Sequence, residues 1–294
     1  MKVVLVAGAT SQVGRLLLPK LVENEYQVLA TSRRAVTTGA EDTRVTWLRL
    51  DLQGAPDFPP DIEAADTLIH LAPVYALPAF LARAPLHKLK RLLVFSTTSA
   101  VTKADSSSFQ EQTFAKRLLQ AEASIQQHCN ERHIFDTIFR PTMTYGLGAD
   151  NNVSFIARFI HRYRFFPLVG QGNGKRQPVH AADLAQAGIT VLENQQTYGR
   201  IYHLGGGEVL PYRTMVERIF SALGQRPLIL QIPIPALRLV IQGLSRFQRF
   251  EYLTPGMADR MKQDMTFDIS EAIHDFGYKP RDFRPSKSEL INHG

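Results

Sequence analysis

The chain has 294 residues, 44% of them hydrophobic, so it can bury a full core and is not a disordered protein. It has 34 Lys and Arg residues against 27 Asp and Glu residues, a formal net charge of +7, and the two signs are largely interleaved. A dedicated nucleic-acid-binding protein concentrates its basic residues on one face, so nucleic acid is not expected as a partner. The single cysteine, Cys129, excludes an intrachain disulfide, and we expect it to be an unreactive helix residue in a reducing compartment.

The first predicted element is a strand that runs directly into a glycine-containing loop and a helix. Residues 3–7 are apolar, residues 8–14 form a short loop with two glycines, and apolar residues then recur at helical spacing. Such a loop presents backbone N–H groups and the positive end of a helix dipole to an anion, typically a dinucleotide pyrophosphate. An ordinary strand-to-helix turn of similar composition is the alternative. The predicted cofactor-binding residues of this loop are Gly8, Thr10, Ser11, Gln12, Val13 and Gly14.

Short apolar runs typical of strands recur along the first half of the chain and alternate with segments of helical pattern. This alternation predicts an α/β fold, a Rossmann-type doubly wound parallel sheet with helices on both faces. Beyond residue 140 the loops are longer and richer in Gly, Asn and Pro, which indicates a smaller substrate lobe. We predict a dinucleotide-binding core, 1–140, and mainly a substrate-binding lobe, 141–294, with elements near residues 201–204 returning to the core. The predicted strands cover residues 3–7, 27–31, 45–49, 67–72, 91–96 and 137–139.

The second predicted strand ends in two arginines, Arg33 and Arg34, where an NAD-binding protein usually places an acidic residue for the ribose hydroxyls. Two guanidinium groups suit the 2′-phosphate that distinguishes NADP from NAD. We therefore predict that Arg33 and Arg34 bind the cofactor and that NADP(H) is favoured, with NAD as the alternative. Solvated surface arginines are the other interpretation of this pair.

The segment 228–252 is strongly apolar, but Arg238, Arg246 and Arg249 interrupt it, so it is not expected to span a membrane. Its apolar and polar residues fall on two separate helical stripes, a pattern that fits a lipid surface, the substrate lobe or a dimer partner. Packing on the lobe or in a homodimer is the favoured interpretation, and a membrane surface is not. The chain begins with a predicted strand rather than a signal peptide, so we expect a cytoplasmic protein.

Seven motifs follow one another along most of the chain: residues 7–14 (AGATSQVG), 50–52 (LDL), 66–72, 95–99 (FSTTS), 140–148 with RP and YGLG, 178–184 (PVHAADL) and 268–280. In this order they resemble the extended short-chain dehydrogenase/reductase superfamily, in particular its NAD-dependent epimerase/dehydratase family, which acts on nucleotide sugars. The resemblance implies that Asp51 and Leu52 flank the adenine of the cofactor. It also implies that Leu71 and Ala72 line the path toward the nicotinamide.

The resemblance further implies three catalytic groups: a Ser or Thr that polarises the reacting oxygen, a Tyr that exchanges a proton, and a Lys four residues after the Tyr. Thr98 matches the hydroxyl position, and Lys116 matches the lysine, which also holds the nicotinamide ribose. Gln112 stands where the Tyr is expected, and an amide cannot exchange a proton near neutral pH as that phenol does. The proton donor is therefore unassigned. Candidates from other positions are Tyr75, Tyr145 and a buried Glu111.

Two residues beyond the core match family positions that bind the diphosphate of a nucleotide sugar. Asn152 follows the Tyr-Gly segment, and Arg176 lies four residues before His180. The family's second diphosphate arginine is missing from its usual place, although Arg260 lies one helical turn further on, so nucleotide-sugar specificity is in question. His180 and Asp183 are interpreted as helix-start and packing residues, and no histidine has companions at the spacing of a metal site.

The sequence leaves two functions of different classes. The first is an NAD(P)-dependent oxidoreductase or epimerase that transfers a hydride to or from a nucleotide sugar or a related carbonyl or hydroxyl compound. The alternative is a catalytically silent NADP-binding module with a regulatory or assembly role, which the replacement of the family Tyr by Gln112 favours. A third option, an enzyme for lipid-linked substrates at a membrane surface, depends only on the apolar segment 228–252.

Overall fold

A parallel β-sheet of seven strands forms the centre of the computed structural model, which describes residues 2–34, 43–54, 58–232 and 263–291. The strands of the described residues include those of this sheet and shorter ones in three two-stranded sheets. They are β1 (Val3–Ala7), β2 (Gln27–Ser32), β3 (Val45–Arg49), β4 (Thr67–His70), β5 (Arg91–Phe95), β6 (Phe135–Pro141), β7 (Thr144–Tyr145), β8 (Phe166–Val169), β9 (Lys175–Arg176), β10 (Val179–His180), β11 (Arg200–Leu204), β12 (Leu210–Pro211) and β13 (Ile229–Ile232). In the central sheet the order is β11-β6-β5-β4-β1-β2-β3, with every neighbouring pair parallel. The predicted doubly wound α/β fold is confirmed.

Helices cover both faces of this sheet. They are α1 (Gln12–Glu23), α2 (Leu77–Arg83), α3 (Ser99–Thr102), α4 (Phe109–Glu131), α5 (Val153–Tyr163), α6 (Ala181–Val191), α7 (Tyr212–Ala222), α8 (Ser270–Phe276) and α9 (Lys287–Leu290), with 3₁₀ turns at Pro60–Ala64, Val74–Ala76 and Gln195–Thr197. One apolar cluster packs α1, α6 and α8 on one face, and a second packs α2 and α4 on the other. Strands β4 and β5 are buried along their whole length, as expected for parallel strands between two helical layers.

The winding direction of the chain reverses between β1 and β4. From β1 the chain proceeds outward to β2 and β3, and it then crosses to the other side of β1 and continues through β4, β5, β6 and β11. In open parallel sheets a ligand binds in the crevice outside the carboxyl ends of the strands at such a reversal. The topology therefore places a ligand site at the ends of β1 and β4.

Residues after β6 form a third apolar cluster around α5 and α7, which includes Val153, Phe220 and Leu290. The same part of the chain also contributes to the central sheet, because β11 pairs with β6 and α6 packs on α1. The division into two domains at residue 140 stays a prediction.

Two further features of the sequence can be located. Cys129 is buried in α4, and burial raises the pKa of its thiol to about 12, so the prediction of an unreactive helix residue is confirmed. Within the described ranges, no helix is long and apolar enough to cross a membrane. Of the apolar segment 228–252, all residues from 233 onward lie outside those ranges.

Candidate dinucleotide site

A cavity of about 330 Å³ lies at the carboxyl ends of β1, β2, β3 and β4. The structure brings together there eight residues that the sequence predicted for the cofactor: Gly8, Thr10, Ser11, Arg33, Asp51, Leu52, Leu71 and Ala72. The cavity also contains residues that the sequence did not single out, among them Thr31, Gln53 and Tyr75. Because these residues come from four strand ends, only the sheet order could assemble them.

Two glycines of the loop allow close backbone approaches. Gly8 has φ +83°, and a Cβ at this position would lie 2.8 Å from the amide nitrogen of Ala72. A Cβ at Gly14 would lie 2.4 Å from the carbonyl oxygen of Ala9. The glycines therefore seat the end of β1 against the end of β4 and the first turn of α1 against the loop.

Ser11 is the N-cap of α1. Its backbone is extended, with φ −65° and ψ 164°, and its Oγ accepts a hydrogen bond from the amide of Gly14 at 3.1 Å. Replacing Ser11 by glycine would relieve no backbone strain, because Ser11 does not adopt a positive φ. The first-turn amides of Gln12 and Val13 have no partner inside the helix and remain available to an anion.

The side chain of Gln12 points across to the Tyr-Gly segment, where its Oε1 accepts a hydrogen bond from the amide of Leu147 at 2.9 Å. Val13 and Gly14 are buried beneath the loop. Gln12, Val13 and Gly14 are therefore the predicted loop residues that do not line the cavity. Gln12 instead connects the start of α1 to the beginning of the lobe.

The end of the cavity formed by Asp51 and Leu52 is held in place by a residue that sequence reasoning missed. Asp51 accepts a hydrogen bond from the amide of Gln53 at 3.1 Å and so forms a tight turn after β3. Arg83 on α2 donates to the carbonyl oxygens of Leu52 and Gly54 at 3.1 and 3.0 Å. Sequence reasoning missed Arg83 because it lies 29 residues from Gly54 and 31 residues from Leu52 in the sequence.

The two predicted phosphate-binding arginines are placed differently. Arg33 is exposed and lines the cavity. Arg34 is exposed beside it, and its amide donates to Ser32 Oγ at 3.2 Å, but its side chain is not part of the cavity wall. Arg33 is therefore the better placed of the two for a 2′-phosphate.

His70, the last residue of β4, is fully buried next to the loop that ends in Ala72. Its Nε2 lies 3.3 Å from the carbonyl oxygen of Pro73, and its Nδ1 has no hydrogen-bond partner. Burial lowers the pKa of His70 to about 4, so the ring is neutral near pH 7. The neutral ring positions the turn that follows β4.

The predicted catalytic hydroxyl, Thr98, follows β5 and begins α3. It is 9% exposed, and its Oγ1 donates a hydrogen bond to the carbonyl oxygen of Pro141 at 3.2 Å. Thr98 therefore links the ends of β5 and β6, and it does not line the cavity.

The predicted lysine, Lys116, lies on the exposed face of α4. Leu118, two residues after Lys116, lies on the buried face of the same helix. Successive residues of an α-helix are about 100° apart around the axis, so the side chains of Lys116 and Leu118 point about 160° apart. Gln112 is exposed as well, and its Nε2 donates to the carbonyl oxygen of Ser106 at 2.8 Å. Gln112 and Lys116 thus both lie on the exposed side of α4, and a catalytic role for Lys116 stays a prediction.

The face of α4 that points at the end of β5 is identified by Glu122. This carboxylate is buried, accepts hydrogen bonds from Ser96 just after β5, and forms an ion pair with Arg140 in β6. Four and eight residues before Glu122, at the spacing of the family Lys and Tyr, stand Leu118, which is buried, and Phe114, which is 36% exposed. Both positions lack an ionisable group.

Three other side chains were candidates for the missing proton donor. Tyr145 is 1% exposed, packs edge-on against His180 and Phe283, and is a core residue. Glu111 is buried and accepts a hydrogen bond from Ser106 Oγ at 2.6 Å. Of the three, Tyr75 alone lines the cavity, and the guanidinium of Arg117 lies 3.8 Å from the centre of its ring.

The two predicted substrate residues are not adjacent to the cavity wall. Asn152 is exposed at the start of α5, where its amide donates to Asp150 Oδ1 at 2.9 Å. Arg176 is buried, donates to the carbonyl oxygens of Lys175 and Gln263 at 2.7 and 2.9 Å, and lies over the ring of Tyr212. Its guanidinium is thus committed to the protein. The nearby candidate Arg260 lies outside the described residues.

The structure confirms His180 and Asp183 as helix-start and packing residues. His180 caps α6, its Nδ1 accepting from the amide of Ala182 at 3.0 Å, and its Nε2 contacts Glu289 at 3.1 Å. Asp183 accepts hydrogen bonds from Arg281. In the part of the chain that the structure describes, no three His, Cys, Asp or Glu residues are grouped as a metal site requires.

Comparison with known proteins identifies the class that this fold and loop define. The model of the NAD dependent epimerase/dehydratase family matches residues 4–86 and 78–205, well over half of the chain. The protein belongs to this family, which confirms the resemblance found in its motifs.

Solved structures share the fold over nearly the whole chain. Epimerase Mth375 from Methanothermobacter thermautotrophicus is 16% identical, with a TM-score of 0.74, and the match covers 98% of this chain and 90% of that one. UDP-glucuronic acid 4-epimerase from Bacillus cereus, solved in complex with NAD, is 17% identical with a TM-score of 0.72, covering 98% and 94%. At these identities the likeness establishes the fold alone.

Two curated relatives are more similar in sequence over shorter stretches. The mitochondrial NADH dehydrogenase [ubiquinone] 1 alpha subcomplex subunit 9 of Arabidopsis thaliana is 29% identical over 120 residues, 40% of this chain and 30% of the relative. Protein YbjS of Escherichia coli K12 is 26% identical over 155 residues, 49% of this chain and 45% of the relative. The chain thus spans less than half the length of these relatives.

Proposed function

We propose that this protein binds NADP(H) as a catalytically silent module with a regulatory or assembly role, and that it does not carry out the Tyr and Lys chemistry of its family. The observation that carries the proposal is the sequence of α4: counted back from the buried Glu122 at the family spacing, Leu118 and Phe114 stand where an ammonium and a phenol would be needed. A benzyl and an isobutyl group can neither exchange a proton nor hydrogen-bond a ribose hydroxyl.

The cofactor half of the proposal is supported by the groups that surround the cavity. A dinucleotide would be held by the first-turn amides of α1 at its pyrophosphate, by the turn at Asp51 and Leu52 at its adenosine, and by Arg33 at a 2′-phosphate. When bound, the nicotinamide of such a cofactor supplies or accepts a hydride. The residues of this chain bind and orient the cofactor but provide no proton relay from α4.

The relatives support the assembly role. The match to a subunit of NADH dehydrogenase shows that a similar stretch of chain occurs in a component of a larger complex. The hydrogen bond from the amide of Leu147 to Gln12 joins the start of α1 to the Tyr-Gly segment. A bound dinucleotide at the same helix start would stabilise the relative position of these two segments.

A second candidate function is an oxidoreductase or epimerase with a substitute acid, acting on a nucleotide sugar or another carbonyl or hydroxyl compound. It is favoured by Tyr75, whose ring lines the cavity beneath the Arg117 guanidinium. The predicted substrate residues Asn152 and Arg176 would belong to this candidate.

Turnover measurements separate the two candidates. We expect the protein to bind NADPH in a calorimetric titration and to show no NADPH oxidation, NADP reduction or sugar conversion with a panel of UDP-sugars and small carbonyl compounds. Turnover that Tyr75→Phe abolishes, with NADPH affinity unchanged, would establish the second candidate instead. Lys116→Ala is the matched control, and we expect it to leave NADPH affinity unchanged because Lys116 points away from the sheet.

Cofactor choice is tested separately at Arg33. Arg33→Ala is expected to weaken NADPH binding by about 10- to 150-fold, the loss of a charge-assisted hydrogen bond of roughly 1.5–3 kcal/mol, and to leave NADH binding nearly unchanged. The adjacent exposed Arg34→Ala removes the same charge outside the cavity wall and should have a much smaller effect. Calorimetry that finds equal NADPH and NADH affinities in the unmodified protein would contradict the assignment.

A further inference from the structure

Strands β8 and β13 form a two-stranded parallel ribbon whose residues are apolar apart from the exposed Gln231. Ile229 pairs with Phe166 and Leu230 with Pro167. The inward side chains of Phe166 and Leu168 are buried in the lobe. On the opposite face Leu228 is 54% and Leu230 47% exposed, next to the half-buried Phe165 and Pro167. The inward face of this ribbon packs into the core of the lobe, whereas the outward apolar side chains do not.

Aromatic side chains extend this face along the end of α5. Tyr163 is 52% exposed and packs against Phe159, with ring centroids 4.7 Å apart. Phe159 in turn contacts Phe165 edge-on at 5.6 Å. An exposed Tyr beside Phe side chains has the composition of an interfacial anchor, since the ring is apolar and the hydroxyl is polar.

The charged residues in the two stretches of sequence that form this patch have one sign. Although 27 of the 294 residues are acidic, none occurs in residues 151–182 or 218–232, the two stretches that β8 and β13 bring together. Arg162, Arg164 and Arg226 are exposed within these stretches. The interleaving of charges that holds for the chain as a whole therefore fails in the two stretches that β8 and β13 pair.

We propose that this face, formed by Tyr163, Phe165, Leu228 and Leu230 with Arg162, Arg164 and Arg226, docks on the surface of an anionic lipid bilayer. Aliphatic and aromatic side chains enter the boundary between headgroups and acyl chains, while the arginines pair with lipid phosphates. The charge argues for this occupant over a second copy of the chain, because a two-fold contact through the same face would set arginines against arginines.

The experiment is vesicle flotation with the full chain, with and without NADPH. Binding is expected to vesicles of phosphatidylcholine mixed with phosphatidylglycerol and not to phosphatidylcholine alone. Combining Arg162→Gln, Arg164→Gln and Arg226→Gln should lower the partition coefficient by about 100-fold, since each basic residue near an anionic surface contributes about a factor of five. Leu228→Ser with Leu230→Ser should lower it as well, and circular dichroism reports whether these variants are folded.

Matched controls remove equal charge or apolar area elsewhere. Lys88→Gln, Lys90→Gln and Arg132→Gln together replace three exposed basic residues, and Val209→Ser with Ile273→Ser replaces side chains that are 48% and 49% exposed. These controls are expected to leave most of the binding intact. The three arginine substitutions keep the test decisive if the leucine variant does not fold, because they lie on the exposed surface.

Several results would overturn the proposal. The first is that the protein does not float with anionic vesicles, and the second is that it binds both kinds of vesicle equally. The third is that the variants and their controls lose equal amounts of vesicle binding. A dimer in sedimentation velocity that Leu228→Ser with Leu230→Ser dissociates would assign the face to a second copy. Binding of a nucleic-acid duplex that competes with vesicles and requires the same arginines would assign it to nucleic acid. NADPH affinity is measured on the same samples, so failure at the membrane does not bear on the cofactor site.

Discussion

Glu122→Ala is expected to destabilise the protein by about 3–5 kcal/mol, because it leaves the Arg140 guanidinium buried without its counter-ion. The side chains of Glu122 and Arg140 are 3% and 14% exposed, and Ser96 donates a further hydrogen bond to the same carboxylate. The three residues connect α4 to the ends of β5 and β6. Urea unfolding followed by circular dichroism measures the change in the free energy of unfolding.

Two variants separate this ion pair from a general effect on the helix. Glu131→Ala removes an exposed carboxylate at the end of the same helix and should change stability by less than about 0.5 kcal/mol. Glu122→Met combined with Arg140→Met should restore much of the loss, because an apolar pair needs no desolvation of charge. A cost below about 1 kcal/mol for Glu122→Ala would refute the role assigned to this pair.

The second large effect is a loss of stability in acid that depends on His70. Its pKa is lowered by burial to about 4, while a histidine in the unfolded chain titrates near its ordinary pKa of 6.5. Between these values the unfolded state binds more protons than the folded state, so stability falls as the pH falls through this window. The stabilising contribution is complete above about pH 6.5, and roughly 3 kcal/mol is lost by pH 4.

His70→Gln keeps a hydrogen-bond donor but cannot be protonated, so its stability should vary less between pH 6.5 and 4 than that of the unmodified protein. The exposed His87→Gln is the matched control and should retain the original pH dependence. Glu208, whose pKa is lowered by its hydrogen bond with Arg218, loses its stabilising contribution only as the pH falls below about 4.5, so it affects only the lowest part of this window. Equal pH profiles for His70→Gln and the unmodified protein would refute the prediction.

The strand-forming runs and the glycine loop could be predicted because their causes are local. Apolar runs such as residues 91–95 form buried strands wherever helices cover both faces of a sheet, and Gly8 and Gly14 permit the backbone approaches that a side chain would prevent. The ends of these elements follow from the same short stretches of sequence. The fold class and most of the cavity wall were therefore accessible without a structure.

The catalytic positions could not be predicted in the same way. A lysine and a glutamine four residues apart, Lys116 and Gln112, matched the family spacing, but spacing alone does not fix which face of a helix points inward. Glu122 was the signal that could have corrected this, since a carboxylate on an inward face requires a buried partner. That partner, Arg140, lies in another strand, and only the packed structure identifies it.

By itself the sequence determined the class of this protein, an α/β dinucleotide-binding fold of the epimerase/dehydratase family, because strand and loop chemistry is encoded in neighbouring residues. The tertiary structure alone decided which side chains share a site. It buried Leu118 and Glu122 of α4, turned Lys116 outward, buried Arg176, and joined two acid-free stretches at β8 and β13. These outcomes depend on helix rotation and strand pairing, which are set by contacts between residues far apart in the chain.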